Sequence, residues 1–100
     1  MNNKFDISCF VNTATEKSVT ESLIERVKKR RKELNLSQKE LSVKSGVSYG
    51  SIKRFESVGE ISLTSLIKIA HAIDSLEDFN KLFSGRKITN LKDFEWLWKE

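Results

Sequence analysis

The chain has 100 residues, enough for one small domain, with no proline and only four glycines, which favours helices over a turn-rich sandwich or barrel. A formal net charge of +4 permits nucleic-acid binding without demonstrating it. One cysteine and one histidine exclude a zinc finger and a disulfide framework. Neither a signal peptide nor an apolar run of about 18 residues is present. The sequence therefore predicts a cytoplasmic protein without a membrane segment.

Residues 1–17 differ from the rest of the chain and are interpreted as an N-terminal arm. Apolar residues alternate at Phe5, Ile7, Cys9 and Val11, as in a short strand, although Phe10 interrupts the pattern. A lone strand is not stable. The segment is therefore either an ordered arm that pairs with something else or a loose tail.

The predicted domain spans residues 18–85 and opens with a helix. Ser18 to Glu21 fits a capping box, so the helix is expected to begin near Ser18 to Thr20 and to reach about Leu34. Leu23, Val27 and Leu34 should face inward. Six of the seven residues from 26 to 32 are basic. They cannot all lie on one surface, so they are either a solvated helix exterior or include some phosphate contacts.

The most informative stretch is residues 36–56, which predicts two short helices joined by a glycine turn. Ser37 and Glu40 form a second capping-box pattern, and Leu41 should lie on the inner face. Gly46 suits the left-handed conformation that ends a helix, because it lacks a Cβ. Val47 follows as a core residue just past the turn.

The helix after this turn has one buried and one exposed side. Ser48 is its N-cap candidate, and Ile52 and Phe55 mark the buried stripe. Because successive residues of a helix are rotated by about 100°, a different group of residues points away from Ile52. These residues are Gly50, Lys53 and Arg54, with Tyr49 and Ser51 at the flanks.

Two further helices are predicted before residue 86. Ser62 caps the fourth, which should run from about Leu63 to Ile73 and bury Leu63, Leu66, Ile69, Ala70 and Ile73. A fifth should follow Ser75 and end near Gly85. Its apolar face is formed by Leu76, Phe79, Leu82 and Phe83.

Residues 86–100 form an aromatic tail, in which Asn90 can cap a last helix. Its large apolar side chains are candidates for association, because tryptophan is a preferred interface anchor. Three roles remain open for them: packing on the domain's own helices, a dimer contact, or docking of another protein. The association candidates are Phe94, Trp96, Leu97 and Trp98.

Several residues at fixed spacing resemble the XRE (lambda repressor/Cro-like) helix-turn-helix family. The resemblance covers residues 23–83 and implies an all-α, five-helix, lambda repressor-like DNA-binding domain. It also implies a structural ion pair between Arg31 and Glu56. Arg30 departs from the family pattern, which is usually apolar there, and Ser42 stands where alanine is common. The matching residues are Gln38, Glu40-Leu41, Gly46-Val47-Ser48, Ile52 and Glu56.

The expected function is that of a sequence-specific DNA-binding transcriptional regulator, a homodimeric repressor that needs no cofactor. The helix after the glycine turn should enter the major groove of double-stranded DNA. Arg54 is the first candidate for base readout, because its forked donors match guanine O6 and N7. The expected base contacts are Tyr49, Gly50, Ser51 and Arg54. The expected contacts to the DNA backbone are Gln38, Lys39, Ser48 and Lys53.

Two other functions remain open. The segment from Gly59 to Phe83 resembles XRE antitoxins that bind HipA-like kinase toxins and repress their joint operon. A protein-interaction module without DNA binding is the third possibility, although the basic outer face of the third helix opposes it. An enzyme is disfavoured, because the sequence has no phosphate-binding glycine loop, no metal-ligand spacing and no nucleophile with a histidine base.

Overall fold

The computed structural model describes residues 14–85, and within this range the chain forms five α-helices and no strand. The predicted all-α, five-helix fold is confirmed. The α2 helix packs against α3 and α4, α1 packs against α3, and α5 packs against α4. The helices are α1 (Glu16–Glu33), α2 (Gln38–Ser45), α3 (Tyr49–Val58), α4 (Leu63–Ala72) and α5 (Leu76–Asn80).

The start of α1 was predicted wrongly, because the capping box lies three residues earlier than Ser18. Thr15 is the N-cap, and its hydroxyl accepts the Ser18 backbone N–H at 3.0 Å. The Ser18 hydroxyl in turn accepts the Thr15 N–H at 2.9 Å. Ser18 therefore occupies the third helical position of the box, where glutamate or glutamine is more usual.

The core is built around the inner faces of α2, α3 and α4. Leu41, Ile52, Phe55 and Ile69 are the largest fully buried side chains, and Val47 is buried just after the glycine turn. The sequence predicted all five. Burying one such side chain contributes about 1.5–3 kcal/mol, so these contacts hold α3 on its supporting helices.

The pattern on α1 and α4 was predicted less well. Leu63 was expected in the core but is 64% exposed, because it is the first residue of α4 and lies at the end of the packed stripe. Leu34 was expected to face inward but is 37% exposed, whereas Ile24 and Ala72 are buried without having been predicted. Ile24 is buried because the turn after α3 passes close to it.

The fifth helix is shorter than predicted, ending at Asn80 and not near Gly85. The Ser75 side chain does not cap it, since its hydroxyl donates to the Ile73 carbonyl and accepts from Arg30 Nη1. After the helix, Phe83 adopts a positive φ of 63° and is 95% exposed. The expected apolar face of this helix is therefore only partly covered by the described residues.

Three predictions lie outside the described residues: the short strand from Phe5 to Val11, the helix capped by Asn90, and the association role of Phe94, Trp96, Leu97 and Trp98. They stay predictions.

Candidate DNA interface

The turn between α2 and α3 is fixed by local hydrogen bonds. Gly46 ends α2 in the left-handed conformation, with φ 78° and ψ 10°. The Ser42 hydroxyl donates to the Val47 carbonyl at 2.6 Å, and the Val47 N–H donates to Ser45 Oγ at 3.1 Å. Ser42, where the resembled family often has alanine, thus connects α2 to the turn. These bonds fix the angle at which α3 is presented.

Both helices of this unit begin with a serine cap. The Ser37 hydroxyl accepts the Glu40 N–H at 3.0 Å, and the Glu40 carboxylate accepts the Ser37 N–H at 2.8 Å. At α3, the Ser48 hydroxyl accepts the Ser51 N–H and donates to Ser51 Oγ at 2.8 Å. The Ser48 hydroxyl is therefore occupied by hydrogen bonds to Ser51, while the Ser51 hydroxyl keeps its own proton for an acceptor on another molecule.

Arg31 of α1 and Glu56 of α3 form a buried, two-point ion pair. Arg31 Nε donates to Glu56 Oε2 at 2.8 Å, and Nη2 donates to Oε1 at 2.9 Å. Arg31 Nη1 also donates to the Leu36 carbonyl at 2.8 Å. The side chains are 9% and 4% exposed. A fork-to-fork pair of this kind fixes orientation as well as distance, so it sets how α3 lies on α1 and on the segment before α2.

Gln38, an expected contact to the DNA backbone, is also hydrogen-bonded to this pair. Its Nε2 donates to Glu56 Oε1 at 2.9 Å. A side-chain amide has two hydrogens on its nitrogen, so one remains for an outside acceptor. The buried pair thereby positions the first residue of α2, a connection that the sequence did not predict.

Lys39, Tyr49 and Lys53 form a cluster on the outer surface. Lys39 Nζ lies 5.5 Å and Lys53 Nζ lies 5.0 Å from the centroid of the Tyr49 ring. These distances allow cation–π attraction, which stabilises exposed pairs by about 0.5–1 kcal/mol. The ring therefore gathers one cation from the first turn of α2 and one from α3 at a single place.

Arg54, the first candidate for base readout, has a partner that the sequence did not predict. Its Nη2 forms a salt bridge with the Glu60 carboxylate, and the two side chains are 66% and 63% exposed. Glu60 lies beyond the end of α3, so helical periodicity does not place it near Arg54. The left-handed Gly59, with φ 80°, turns the chain so that the two side chains meet.

Gly50 lies on the outer side of α3 with open space around it. A Cβ added there would meet no atom within 4 Å. The α3 backbone is therefore accessible at this point to a large partner.

A cleft of about 550 Å³ runs beside these residues. Lys28, Lys53 and Arg54 contribute positive charge to its lining, and the Arg31–Glu56 pair and Gln38 also border it. Of the basic run at 26–32, Lys28 and Arg31 reach this cleft. The run therefore divides into residues with different environments, as expected for six basic residues among seven helical positions.

A model of the helix-turn-helix family matches residues 27–79, more than half of the chain. The chain belongs to the XRE-type helix-turn-helix family. Comparison with curated proteins and with solved structures gives no match.

Membership in this helix-turn-helix family identifies a DNA-binding transcriptional regulator. The second helix of a helix-turn-helix is the one that enters the major groove, and α3 holds that position in the chain. In residues 14–85, no helix is both long and apolar enough to cross a membrane.

Proposed function

We propose that the protein is a sequence-specific transcriptional repressor that binds its operator as a homodimer, with α3 in the major groove. The observation that carries the proposal is the division of α3 into two sides. Its inner side is fixed by Ile52, Phe55 and the buried Glu56, while its outer side exposes Lys53 and Arg54. The mechanism requires no cofactor and no catalytic step.

Phosphate contacts are assigned to the first turn of α2 and to the neighbouring part of α3. A helix N-terminus attracts anions through its backbone N–H groups and its dipole. Lys39 lies in this turn of α2, and Lys53 contacts the same Tyr49 ring as Lys39. Gln38 adds the amide hydrogen that Glu56 does not use. Ser48 contributes its backbone, because its hydroxyl is engaged with Ser51.

Base contacts are assigned to the outer side of α3. An arginine has five N–H donors, so Arg54 keeps several for guanine O6 and N7 while one contacts Glu60. Ser51 offers a hydroxyl proton, and Tyr49 offers its phenol group at the start of the helix. Gly50 allows the α3 backbone to come close to the duplex, since no side chain intervenes.

The homodimer is proposed because one small module has limited contact with DNA. A single module buries about 600–1,000 Å² of protein surface, whereas tight specific complexes use more. Association is assigned to the tail residues named above: Phe94, Trp96, Leu97 and Trp98. The described domain supports this by exposing Leu82 and Phe83 just before the tail.

The test is titration of the protein against its own promoter at several salt concentrations. We expect a two-to-one complex on paired half-sites about 34–36 Å apart. Affinity should fall steeply with salt, because phosphate contacts release counterions. A salt-independent affinity, or a saturating one-to-one complex on a single half-site, would contradict the proposal.

We also propose, as a second function, that the repressor is an antitoxin for a HipA-like toxin. The supporting observation is the apolar surface at the end of the domain, where Phe83 is 95% exposed. The test is co-expression with the product of the neighbouring gene, using the full chain and a chain that lacks residues 91–100. Toxin capture by the full chain and its loss on truncation, with unchanged circular dichroism, would support the proposal. Failure of the full chain to bind that product would contradict it.

A further inference from the structure

Glu60 places a negative charge beside the proposed base-reading residue. It follows Gly59 and precedes α4, and its carboxylate contacts Arg54 Nη2. The two side chains are more than half exposed, so the pair lies on the surface and not in the core. Acidic groups on a DNA-binding surface repel phosphates, so the presence of Glu60 at this place needs a physical explanation.

The contact leaves Arg54 able to read a base. Two-point recognition of guanine requires two adjacent N–H donors. Glu60 engages Nη2, which has a second hydrogen, and leaves Nη1 and Nε as well. The same guanidinium can therefore bind Glu60 on one side and a guanine on another. Glu60 also restricts a long, flexible side chain before binding, which lowers the entropy lost when Arg54 meets a base.

The cations assigned to phosphates have different surroundings. Among the described residues, Lys39 and Lys53 contact the Tyr49 ring, and neither forms a salt bridge with a carboxylate. An aromatic ring leaves the ammonium charge in place, whereas a carboxylate largely cancels the charge of its partner. The surface thus keeps its attraction for phosphates at Lys39 and Lys53 and reduces it at Arg54.

We propose that Glu60 is a specificity-determining residue, which positions Arg54 for a base and weakens its attraction to phosphates of any sequence. The inference rests on the proposed sequence-specific binding. Its consequence is that Glu60 lowers affinity for random DNA more than affinity for the operator. Removing the negative charge should therefore give tighter but less selective binding.

The experiment compares the wild type with Glu60→Gln on two duplexes. One is selected by the wild-type protein from a random-sequence library, and the other is a scrambled version of it. We expect Glu60→Gln to bind the scrambled duplex roughly three- to ten-fold more tightly, with a smaller change on the selected duplex. A library selection with Glu60→Gln should show a weaker preference at one base pair.

Asp74→Asn is the matched control for net charge. Asp74 is exposed, and its backbone adopts the left-handed conformation, which asparagine tolerates. It follows the C-terminus of α4, whereas Glu60 precedes the N-terminus of that helix. Ten helical residues separate these ends by about 15 Å. This variant should retain wild-type discrimination between the two duplexes.

Arg54→Ala provides the second control. In that background, Glu60→Gln should change both duplexes by the same factor, because the residue that Glu60 positions is gone. The inference is overturned if Glu60→Gln changes both duplexes equally in the presence of Arg54, or if it weakens both. Failure of the proposed function looks different, since the wild type itself would then select no sequence from the library.

Discussion

Two arginine–glutamate pairs each include one residue of α3, and they differ in burial and in where the partner residue lies. Arg31 of α1 and Glu56 of α3 form the buried pair, with side-chain exposures of 9% and 4%. Arg54 and Glu60 lie on the outer side, at 66% and 63%. The buried carboxylate accepts hydrogen bonds from Arg31 and Gln38. The outer carboxylate contacts Arg54 from beyond the end of the helix.

The difference shows that burial, and not residue type, decides what such a pair does. A buried pair loses its hydration, so removing one partner leaves an uncompensated charge and is costly. An exposed pair is screened by water and salt and is worth about 0–1 kcal/mol. The first pair can therefore fix the position of α3, while the second can exchange hydrogen bonds with a ligand.

The largest expected effect is on folding, from Glu56→Ala. We expect a loss of about 3–5 kcal/mol in the free energy of unfolding, because Arg31 stays buried without its partner. Urea denaturation measures it, with Glu33→Ala as the control. Glu33 pairs with Arg30 on the surface at 3.8 Å, so its loss should stay below about 1 kcal/mol.

A double-mutant cycle with Arg31→Ala separates the pair from other effects. The double variant should lose much less than the sum of the two single losses. Additive losses would mean that the two residues do not interact. Since a small domain has only about 5–15 kcal/mol of stability, Glu56→Gln supplies a milder variant for the same cycle.

The glycines near the two ends of α3 should also differ in how they tolerate substitution, because Gly59 has close neighbours and Gly50 has none. A Cβ on Gly59 would lie 2.4 Å from Thr20 Cγ2, and its φ of 80° disfavours a side chain. Gly59→Ala should therefore cost about 2–4 kcal/mol of stability. Gly50→Ala has open space and a helical position, so it should stabilise by up to about 1 kcal/mol. Thermal unfolding of the two variants tests the contrast, and equal shifts would contradict it.

Arg54→Ala should act on DNA binding and not on folding. We expect operator binding to weaken by about 1–3 kcal/mol and selectivity to relax at one base pair. Thermal stability should change by less than about 0.5 kcal/mol, because the Arg54–Glu60 pair is exposed. Titration with operator and random duplexes measures this. Equal losses on both duplexes would remove the base-reading role.

The smallest and most uniform effect is expected from Lys39→Ala. Its charge lies at the first turn of α2 and meets a phosphate in the proposal, so all sequences should be weakened about equally. The slope of log affinity against log salt should become shallower by about one. Lys68→Ala is a control on α4, exposed and outside the candidate interface. A sequence-dependent loss for Lys39→Ala would contradict its assignment to phosphate.

Several features of the fold could be predicted from the sequence because they depend on neighbours along the chain. Ser37, Ser48 and Ser62 cap α2, α3 and α4 as expected, and Gly46 ends α2 in the left-handed conformation. A cap involves residues within about three positions. The buried stripe of α3 follows from helical periodicity alone. At α1, by contrast, the Ser18 to Glu21 pattern predicted the wrong capping box, because Thr15 is the N-cap.

The sequence by itself determined the helices of α2, α3 and α4, the side of α3 that faces the core, and the outward position of Lys53 and Arg54. Tertiary structure decided that Gln38 joins the Arg31–Glu56 pair, that Glu60 returns to Arg54, and that Gly59 passes close to Thr20. It also decided that Leu63 stays exposed. The reason is distance along the chain: caps and stripes are set by residues one turn apart, whereas these contacts depend on how helices cross and where turns redirect the backbone.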